Sequence, residues 1–474
     1  MSHFHKQAMS FVYQQVLHRL LGFFNRLERV ALQLLIQRLL VAAGGLDRIG
    51  SYRILVIHEG GKECAYTLAL LRAAQLSIAG RSPTTFMLRV AVLRQPRITA
   101  QVMKRIHVQC SELFLYDDSR VELLLVDEQG VHDLYTGQSP EDVSSATVRQ
   151  QVLMSGHLSQ GDVRATFFYG DFLSRAKLYQ QACLWGDAVD ALIDRRPPTH
   201  LDEYAEWVLK VAVQHGYSLS DLQGGEFEAA VKMCSRLDDD FKHALCLPFG
   251  TQTDPWPQGI TIINVFDCLS CEVDVLNSQV LMFVEGVRAS KLLHFEEPQT
   301  AAVLLAAHLH GLRSSCKYGI DYDQGASAYL RKAATENKDN LRFKGQLVKQ
   351  LNALLNTPKK FNKLRVLAEQ YLEELHGVSD EQLRCSICSP FVNQAQGLEH
   401  FLQQGYPEKL PKMGEIRRVL IDPEQASEVD LSWLESISGL SLGSLQMLYQ
   451  MPQSDVNLIA TMRAHDPSRE AQSH

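Results

Sequence analysis

The sequence predicts an α/β fold, in which a parallel-sheet domain lies between amino-terminal helices and a mostly helical carboxy-terminal region. Three patterns support this prediction: apolar residues recur at helical spacing near the start, strand-like and helical segments alternate from residue 53 to residue 126, and helical patterns dominate the last third. Alternation of strand and helix implies right-handed crossovers and parallel pairing. We expect an amino-terminal helical segment over 1–50, an α/β domain over 51–290 and a mainly helical region over 291–474.

The first predicted elements are one or two amphipathic helices over residues 11–43, where apolar side chains recur every three or four positions. Residues 1–53 contain seven Lys and Arg residues against Glu28 and Asp47, which gives a net charge of +5. This surplus fits either an ordinary solvated helix face or a surface that meets phosphate groups.

The predicted sheet follows these helices. Strands over 53–57, 86–93 and 121–126 alternate with helices over 63–76 and 99–113. A polar stretch then predicts a loop over 136–145.

The later elements are mostly predicted as helices. Helices over 171–193 and 202–215 are separated by Arg195-Arg-Pro-Pro198, because proline cannot continue a helix. A strand is predicted over 260–265 and a linker over 407–411. The remaining predicted helices cover 226–237, 271–287, 300–312, 326–335, 341–355 and 361–375.

Composition excludes several classes of protein. The 474 residues include 47 Lys and Arg against 54 Asp and Glu, and the net charge of −7 excludes a globally basic nucleic-acid coat. The longest apolar stretch, over 30–43, is interrupted by Gln33, Gln37 and Arg38, so it is too polar to span a membrane. The first residues lack the pattern of an export signal. We therefore expect a cytoplasmic protein without a membrane partner.

Ten cysteines suggest reduced thiols or a metal in an intracellular chain. Six stand alone, which is typical of small buried side chains. The other four form two C-x-x-C pairs, Cys268 with Cys271 and Cys385 with Cys388. If Cys385 and Cys388 bind zinc, Cys268 and Cys271 are the candidates for the two further ligands of a tetrahedral site. Buried thiols without metal are the alternative.

The most informative motif is the turn after the first predicted strand, Arg53-Ile-Leu-Val-Ile-His-Glu-Gly-Gly-Lys-Glu-Cys64. Gly60 and Gly61 allow the backbone to approach a phosphate, the following helix start supplies N–H groups, and Lys62 adds a positive charge. Open α/β sheets bind ligands at this position. The sequence therefore predicts a nucleotide-binding turn at Gly60, Gly61 and Lys62, with an ordinary turn as the alternative.

Glu59-Gly-Gly-Lys-Glu-Cys64 resembles the S-G-G-x-D-S loop of the PP-loop ATP pyrophosphatases, and the next predicted strand, over 86–93, follows at a similar distance. This resemblance implies a PP-loop fold for the α/β domain. It also implies adenylation of tRNA bases before thiolation as the ancestral chemistry.

Further segments are similar to the second subunit of the cytosolic tRNA 2-thiolation complex, the cytosolic thiouridylase subunit 2 family. They are the ordered elements over 204–217 and 226–237, the strand and helix over 259–277, the late helices over 340–375, and the C-x-x-C within 384–390. The likeness covers about residues 50–130 and 200–390.

This resemblance implies a degenerate partner of a catalytic PP-loop subunit, in a complex that 2-thiolates the wobble uridine of tRNA with sulfur from a ubiquitin-like carrier protein. Glu59 departs from the PP-loop pattern, because it replaces a serine and places a carboxylate where phosphate would bind. We therefore expect no catalytic residues, weak or absent ATP turnover, and zinc as the remaining cofactor candidate.

One segment is strongly basic. Residues 331–365 contain ten Lys and Arg residues against Glu336 and Asp339, a net charge of +8. Polyanionic RNA is held largely by such contacts to phosphate, although a solvated helix face has the same composition. The predicted tRNA-binding residues are Arg342, Lys344, Lys349, Lys359, Lys360, Lys363 and Arg365.

Three functions remain open at this point. The chain is a tRNA-binding, largely non-catalytic thiolation subunit, an ATP-dependent adenylating enzyme in its own right, or an adaptor that reuses an α/β fold without binding RNA.

Overall fold

The computed structural model describes residues 3–96, 98–135, 145–194, 198–218, 226–245, 259–265, 298–336, 358–422, 428–451 and 453–466, together with Leu247, Cys268 and Val280. The chain forms two compact units that alternate along the sequence. The first unit comprises Met1–Glu141, Arg175–Glu203 and Gly250–Lys291, and the second comprises Asp142–Ser174, Tyr204–Phe249 and Leu292–His474. These bounds differ from the predicted regions 1–50, 51–290 and 291–474.

Two helices open the first unit, α1 (His3–Phe23) and α2 (Arg26–Ala42). Asn25 caps α2 in a capping box: its side chain accepts a hydrogen bond from the Glu28 backbone N–H at 3.0 Å, and Glu28 accepts one from the Asn25 N–H at 2.7 Å. The buried face of α2 shares one hydrophobic core with the sheet. The amino-terminal helices therefore belong to the α/β unit and do not form a separate region.

The first unit contains a six-stranded sheet in the order β4-β3-β2-β1-β5-β6. All neighbouring strands pair in parallel except β3 and β4, which are antiparallel. The predicted α/β class with a parallel sheet is therefore confirmed. The strands are β1 (Arg53–Ile57), β2 (Met87–Leu93), β3 (Val121–Asp127), β4 (Gly130–Asp133), β5 (Ala191–Asp194) and β6 (Thr261–Asn264).

Helix α3 (Lys62–Ala79) connects β1 to β2, and α4 (Ala100–Glu112) connects β2 to β3. Consecutive residues of β1 and β2 are buried, and consecutive side chains of a strand point to opposite faces. Both faces of the central strands are therefore covered, which explains why these strands are almost wholly apolar.

Arg89 is the fully buried polar residue of β1 and β2. Its side chain is buried, and it donates hydrogen bonds to Glu122 Oε2 on β3 at 2.6 Å, to the Ala182 carbonyl at 3.0 Å and to the Asp187 carbonyl at 3.1 Å. The last carbonyls of a helix lack partners within the helix and attract cations. Arg89 therefore ties the end of helix α7 (Tyr169–Leu184) to the middle of the sheet.

The prediction of one helix over 171–193 was wrong beyond Leu184, where α7 ends. Gly186 adopts a positive φ of 56° in the turn that follows, and β5 then pairs with β1 and β6. The segment is apolar on both sides of this turn, and a short buried strand then has no periodicity that separates it from a helix.

The hairpin from β3 to β4 was not predicted. The Asp127 carboxylate accepts hydrogen bonds from the backbone N–H groups of Gln129 at 2.8 Å and Gly130 at 3.1 Å. An Asp side chain that bonds to the backbone two residues later stabilises a tight turn. This turn reverses the chain and adds the antiparallel edge strand.

The second unit is helical in its described residues. It contains α5 (Ser145–Ser159), α6 (Val163–Phe167), the start of α7, most of α8 (Pro198–Gln214), α9 (Glu226–Ala244), α10 (Pro298–Tyr318), α11 (Tyr322–Glu336), α12 (Pro358–His376), α13 (Asp380–Cys388), α14 (Val392–Ala395), α15 (Leu398–Gly405), α16 (Met413–Ile421), α17 (Glu428–Ser438), α18 (Leu442–Gln450) and α19 (Gln453–Ala464).

The helices predicted over 300–312, 326–335 and 361–375 are confirmed as parts of α10, α11 and α12. The helix predicted over 341–355 lies outside the described residues, as does the one predicted over 271–287 apart from Val280.

The linker predicted over 407–411 was wrong. Residues Pro407–Lys412 form a 3₁₀ helix. The preceding Tyr406 donates a hydrogen bond to Glu381 at 2.7 Å, and the Lys409 ammonium lies 5.1 Å from the centre of the Trp433 ring. Proline fixes φ, and it therefore suits a short 3₁₀ turn as well as a linker.

None of the helices in the described ranges has the length and apolarity that a membrane crossing requires.

Candidate functional site

The predicted phosphate turn lies at the carboxyl end of β1, in the middle of the sheet. Gly60 has a φ of +75°, and a Cβ atom there would lie 2.7 Å from Val102 Cγ1 on α4. Glycine is therefore required at this position by both backbone conformation and space. Gly61 is the N-cap of α3 and has no side chain to accept the first N–H groups of the helix.

Glu59 dominates the electrostatics of this turn. Its carboxylate is 16% exposed and lies 3.4 Å from Arg175 Nη2, on α7. The Glu59 backbone N–H donates to Cys64 Sγ at 3.4 Å, so the sulfur atom helps to close the turn. The turn therefore already holds an anion, the carboxylate of its own chain.

Arg175 also joins the turn to the next strand. Its Nη2 donates to Gln95 Oε1 at 3.4 Å, two residues after the end of β2. One side chain on α7 thus contacts the carboxyl ends of β1 and β2 together.

The carbonyl of Gly60 faces α4. Arg105 Nη1 and Gln109 Nε2 each lie 3.5 Å from this oxygen and donate to it. These two contacts fix the orientation of the Gly60 peptide. Lys62 is exposed at the first position of α3.

Arg94 is a second cationic side chain at this edge, directly after the end of β2. Arg94 Nη1 lies 3.8 Å from Asp127 Oδ2 at the end of β3, and the Arg94 side chain is 13% exposed. Its Nε and Nη2 are buried and have no hydrogen-bond partner in the described part of the chain. Buried donors without partners are rare, and they mark places where a ligand or water can bind.

The carboxyl edge of the sheet therefore combines features that bind anions with one that repels them. Arg94, Arg175 and the start of α3 attract an anion, whereas Glu59 opposes a phosphate in the turn. Residues 58–64 contain neither Ser nor Thr, so the turn offers no hydroxyl group to a phosphate. The start of α3 therefore offers backbone N–H groups to an anion, but the turn lacks the hydroxyl donors that a catalytic pyrophosphate site adds to them.

The predicted tRNA-binding residues are only partly described. Arg342, Lys344 and Lys349 lie outside the described residues, and the side chains of Lys359, Lys360 and Lys363, on α12, are not described.

Arg365 is the exception. Its guanidinium lies 3.0 Å from Glu369, 3.5 Å from Asp380 and 4.5 Å from the centre of the Tyr322 ring. These contacts give Arg365 a structural role that connects α11, α12 and α13.

The predicted metal ligands are found in different surroundings. Cys268 is buried in the core of the first unit, whereas Cys385 and Cys388 lie on α13 of the second unit. Cys271 lies outside the described residues. Within the described ranges, no group of three or more His, Cys, Asp or Glu side chains is placed to hold a metal ion.

The sequence-based prediction named Gly60, Gly61 and Lys62 at this edge of the sheet but did not name Arg94 or Arg175. Arg94 could have been found, because a charged residue directly after a predicted buried strand lies at the ligand-binding edge of a parallel sheet. No local pattern in the sequence identifies Arg175, because its contact with Glu59 depends on where α7 packs.

A scan of the chain against protein-family models finds no match. Searches among curated proteins and among solved structures find no match either.

Proposed function

We propose that this chain is the tRNA-binding, largely non-catalytic subunit of a complex that 2-thiolates the wobble uridine of cytosolic tRNAs. In this proposal a catalytic PP-loop partner performs adenylation and sulfur insertion, and a ubiquitin-like carrier supplies the sulfur. The α/β unit acts as a retained PP-loop-like scaffold, and basic helices hold the tRNA.

The observation that carries the proposal is the pairing of Glu59 with Arg175 in the Gly60 turn, at 3.4 Å. A glycine turn between the central strand and a helix is the place for a nucleotide phosphate in open α/β sheets. Here a carboxylate of the chain lies in that turn, and its charge disfavours a second anion. A scaffold that keeps the turn but has no hydroxyl donor for pyrophosphate and has a carboxylate beside it fits a degenerate subunit better than an independent enzyme.

Basic residues in the second unit support the part of the proposal that concerns RNA binding. Within the +8 segment over 331–365, Arg331 and Lys332 are exposed on α11. Phosphate contacts by Lys and Arg supply much of the affinity for RNA without requiring a globally basic protein. Because the chain as a whole has a net charge of −7, attraction of RNA phosphates is confined to its basic segments.

An exposed apolar stripe on α2 supports the part of the proposal that concerns a protein partner. Leu27, Val30, Leu34 and Val41 are 60%, 52%, 48% and 78% exposed, and their spacing is that of a heptad repeat with Gln37 at the remaining position. The opposite face of α2 is buried in the core. Exposed apolar surface of this kind is typical of protein interaction sites, and the proposal assigns it to the catalytic subunit.

The test is tRNA binding by the full chain at several salt concentrations. Reversal of charge in Lys359→Glu/Lys360→Glu should weaken binding about tenfold or more and reduce its dependence on salt, because fewer counterions are released. The control is Lys104→Glu/Lys412→Glu, which changes the net charge equally at two exposed lysines outside the predicted surface. Equal losses in both variants, or none, would refute the RNA-binding surface.

A nucleotide assay separates the proposal from the adenylating-enzyme alternative, which the exposed Lys62 and the unpartnered N–H groups of Arg94 favour. The purified chain alone should not form AMP and pyrophosphate from ATP. Turnover that is lost in Lys62→Ala would instead establish the chain as an enzyme.

A further inference from the structure

Helix α2 has two apolar faces. One packs against α3 within the core of the first unit. The other is the exposed apolar stripe of Leu27, Val30, Leu34 and Val41. Val41 lies 14 residues after Leu27, so the stripe is about 21 Å long. A helix that meets only water on its outer face is polar there, and the stripe therefore indicates a partner.

The spacing of the stripe fits another helix. Leu27, Leu34 and Val41 occupy the a positions of a heptad, and Val30 and Gln37 occupy the d positions between them. At about 100° per residue, these five positions lie within about 80° of the helix surface. This width is that of a coiled-coil seam and is narrower than the apolar face with which a helix enters a lipid interface. The stripe is therefore complementary in shape to the seam of a second helix.

The charges beside the stripe are positive on both sides. Arg26 lies at a g position and Arg38 at an e position, and both side chains are exposed. The one acidic residue of α2, Glu28, belongs to the opposite face: it is 2% exposed and accepts a hydrogen bond from the Tyr66 hydroxyl on α3 at 2.7 Å. Residues at e and g select the partner of a coiled coil by their charge. A matching helix therefore has acidic residues at these positions.

A second copy of this chain does not match the stripe. A two-fold interface uses the same patch on both copies, so two antiparallel α2 helices would place Arg26 against Arg26 and Arg38 against Arg38. In a parallel pair, Arg38 would face Gln33, which occupies the g position one heptad after Arg26. Neither arrangement gives these arginines an opposite charge.

We propose that the apolar stripe of α2 binds an amphipathic helix of the catalytic subunit, with aliphatic residues at a and d and Glu or Asp at e and g. The inference rests on the proposed function for the identity of this partner. Gln37 adds one polar group to the seam, and a polar residue in a seam fixes the register of the two helices at a cost in stability. The partner helix should therefore place an Asn or Gln opposite Gln37.

The test measures binding of a fluorescently labelled peptide to the full chain by anisotropy. The acidic peptide has four heptads with Leu at a and d and Glu at e and g, and the control peptide differs only in having Lys at e and g. The acidic peptide should bind at least about tenfold more tightly, because like charges along the seam disfavour the control. Equal binding of the two peptides, or no binding of either, would overturn the proposal.

Variants of the chain locate the binding surface. Leu34→Asp should weaken binding of the acidic peptide about tenfold or more, because it places a carboxylate in the middle of the seam. Ile421→Asp is the matched control and should leave this binding unchanged, since Ile421 is 58% exposed on α16 of the second unit. Arg26→Glu/Arg38→Glu should reverse the preference between the two peptides. Circular dichroism verifies that each variant is folded, and the comparison of the peptides on the wild-type chain stands without any variant. Equal losses in Leu34→Asp and Ile421→Asp would contradict binding at the stripe.

Other occupants of the stripe give different results. Dimerisation in analytical ultracentrifugation that Leu34→Asp abolishes would assign the stripe to a second copy. Binding to phosphatidylserine vesicles that Leu34→Asp abolishes would assign it to a membrane, and either result would overturn the proposal. Binding of tRNA by the wild-type chain is measured separately. Peptide binding without tRNA binding would refute the RNA-binding role alone, whereas tRNA binding without peptide binding would refute this inference alone.

Discussion

Asp118 shows how one residue organises a buried charge cluster in the first unit. Its Oδ2 lies 2.7 Å from Arg72 Nη1 and 2.7 Å from Arg120 Nη2, and the side chains of Asp118 and Arg72 are almost fully buried. Arg72 also donates to the Leu113 carbonyl at 3.1 Å. The cluster connects α3 to the loop before β3, and each of its charges depends on the others.

This cluster predicts a dependence of stability on pH. Burial opposes ionisation of Asp118, but the hydrogen bonds from Arg120 and the charge of Arg72 outweigh it and lower the pKa to about 2. Because the folded pKa lies below the unfolded one, the stabilisation is present above about pH 4 and is lost as the pH falls towards 2.

Asp118→Asn should therefore cost about 3–5 kcal/mol at neutral pH, since it leaves the buried guanidinium of Arg72 and the half-buried one of Arg120 without their carboxylate. Urea unfolding at pH 7 and at pH 3 measures this loss, which should be smaller at pH 3. The neighbouring Asp117 is exposed, and Asp117→Asn is the control, with an expected change within about 0.5 kcal/mol. A loss that is independent of pH would contradict the assignment.

At the scale of elements, the step from β1 to α3 depends on Gly60 far more than on Gly61. Gly60→Ala should destabilise the protein by roughly 1–2 kcal/mol from the left-handed backbone alone, and contact with Val102 increases the loss. Gly61 has a φ of −74°, and a Cβ atom there meets nothing within 4 Å. Gly61→Ala should therefore cost less, about 0.5–1 kcal/mol, because alanine is a poorer N-cap residue than glycine but fits the backbone and the space.

Urea unfolding of both variants compares the two positions directly. Equal effects would mean that the turn does not have the described conformation.

The same elements show what the sequence could reveal. The turn at Gly60 was predictable because a short apolar strand, two glycines and a long helix follow each other within local sequence. The strand order was not, since the pairing of β1 with β5 depends on contacts between segments more than 100 residues apart. Segment 191–194 was misread for the same reason: only its pairing with β1 and β6 distinguishes it from the end of α7.

The candidate site also combines residues that the local sequence reveals with residues that only the fold brings in. Gly60, Gly61 and Lys62 could be named from their local pattern, whereas Arg175 and Glu59, which contact each other, are 116 positions apart in the sequence. Side chains that complete a site from a distant helix are invisible to periodicity. The sequence did show that Glu59 places a negative charge in the turn. The structure adds that Arg175 pairs with this charge.

At the scale of the whole molecule, the chain passes between the two units five times. The second unit contains α5 and α6, which precede β5 of the first unit in sequence. These two helices pack within the second unit: Ser389 Oγ donates to the His157 carbonyl on α5 at 2.5 Å, and Arg164 Nε on α6 donates to Asp466 Oδ2 at 2.5 Å. The helical region over 291–474 is therefore only part of a folding unit.

A fragment that contains residues 291–474 alone should consequently fail to fold cooperatively. It lacks α5, α6, α8 and α9, and without them the aromatic contact between His157 and Phe391 and the hydrogen bond from Trp207 Nε1 to the Met462 carbonyl at 3.0 Å cannot form. Burial of apolar surface on these helices is the main driving force for their association, and its loss leaves apolar residues of α13 and α19 exposed to water.

Near-UV circular dichroism and urea unfolding of the fragment provide the measurement, and a broad transition without aromatic signal is expected. The matched control is a rearranged chain that joins 142–174, 204–249 and 292–474 through flexible Gly/Ser linkers, because it restores the missing helices without the sheet. This control should unfold in one sharp transition. A sharp transition in the short fragment as well would mean that the carboxy-terminal helices stabilise themselves, and that α5, α6, α8 and α9 only cover them.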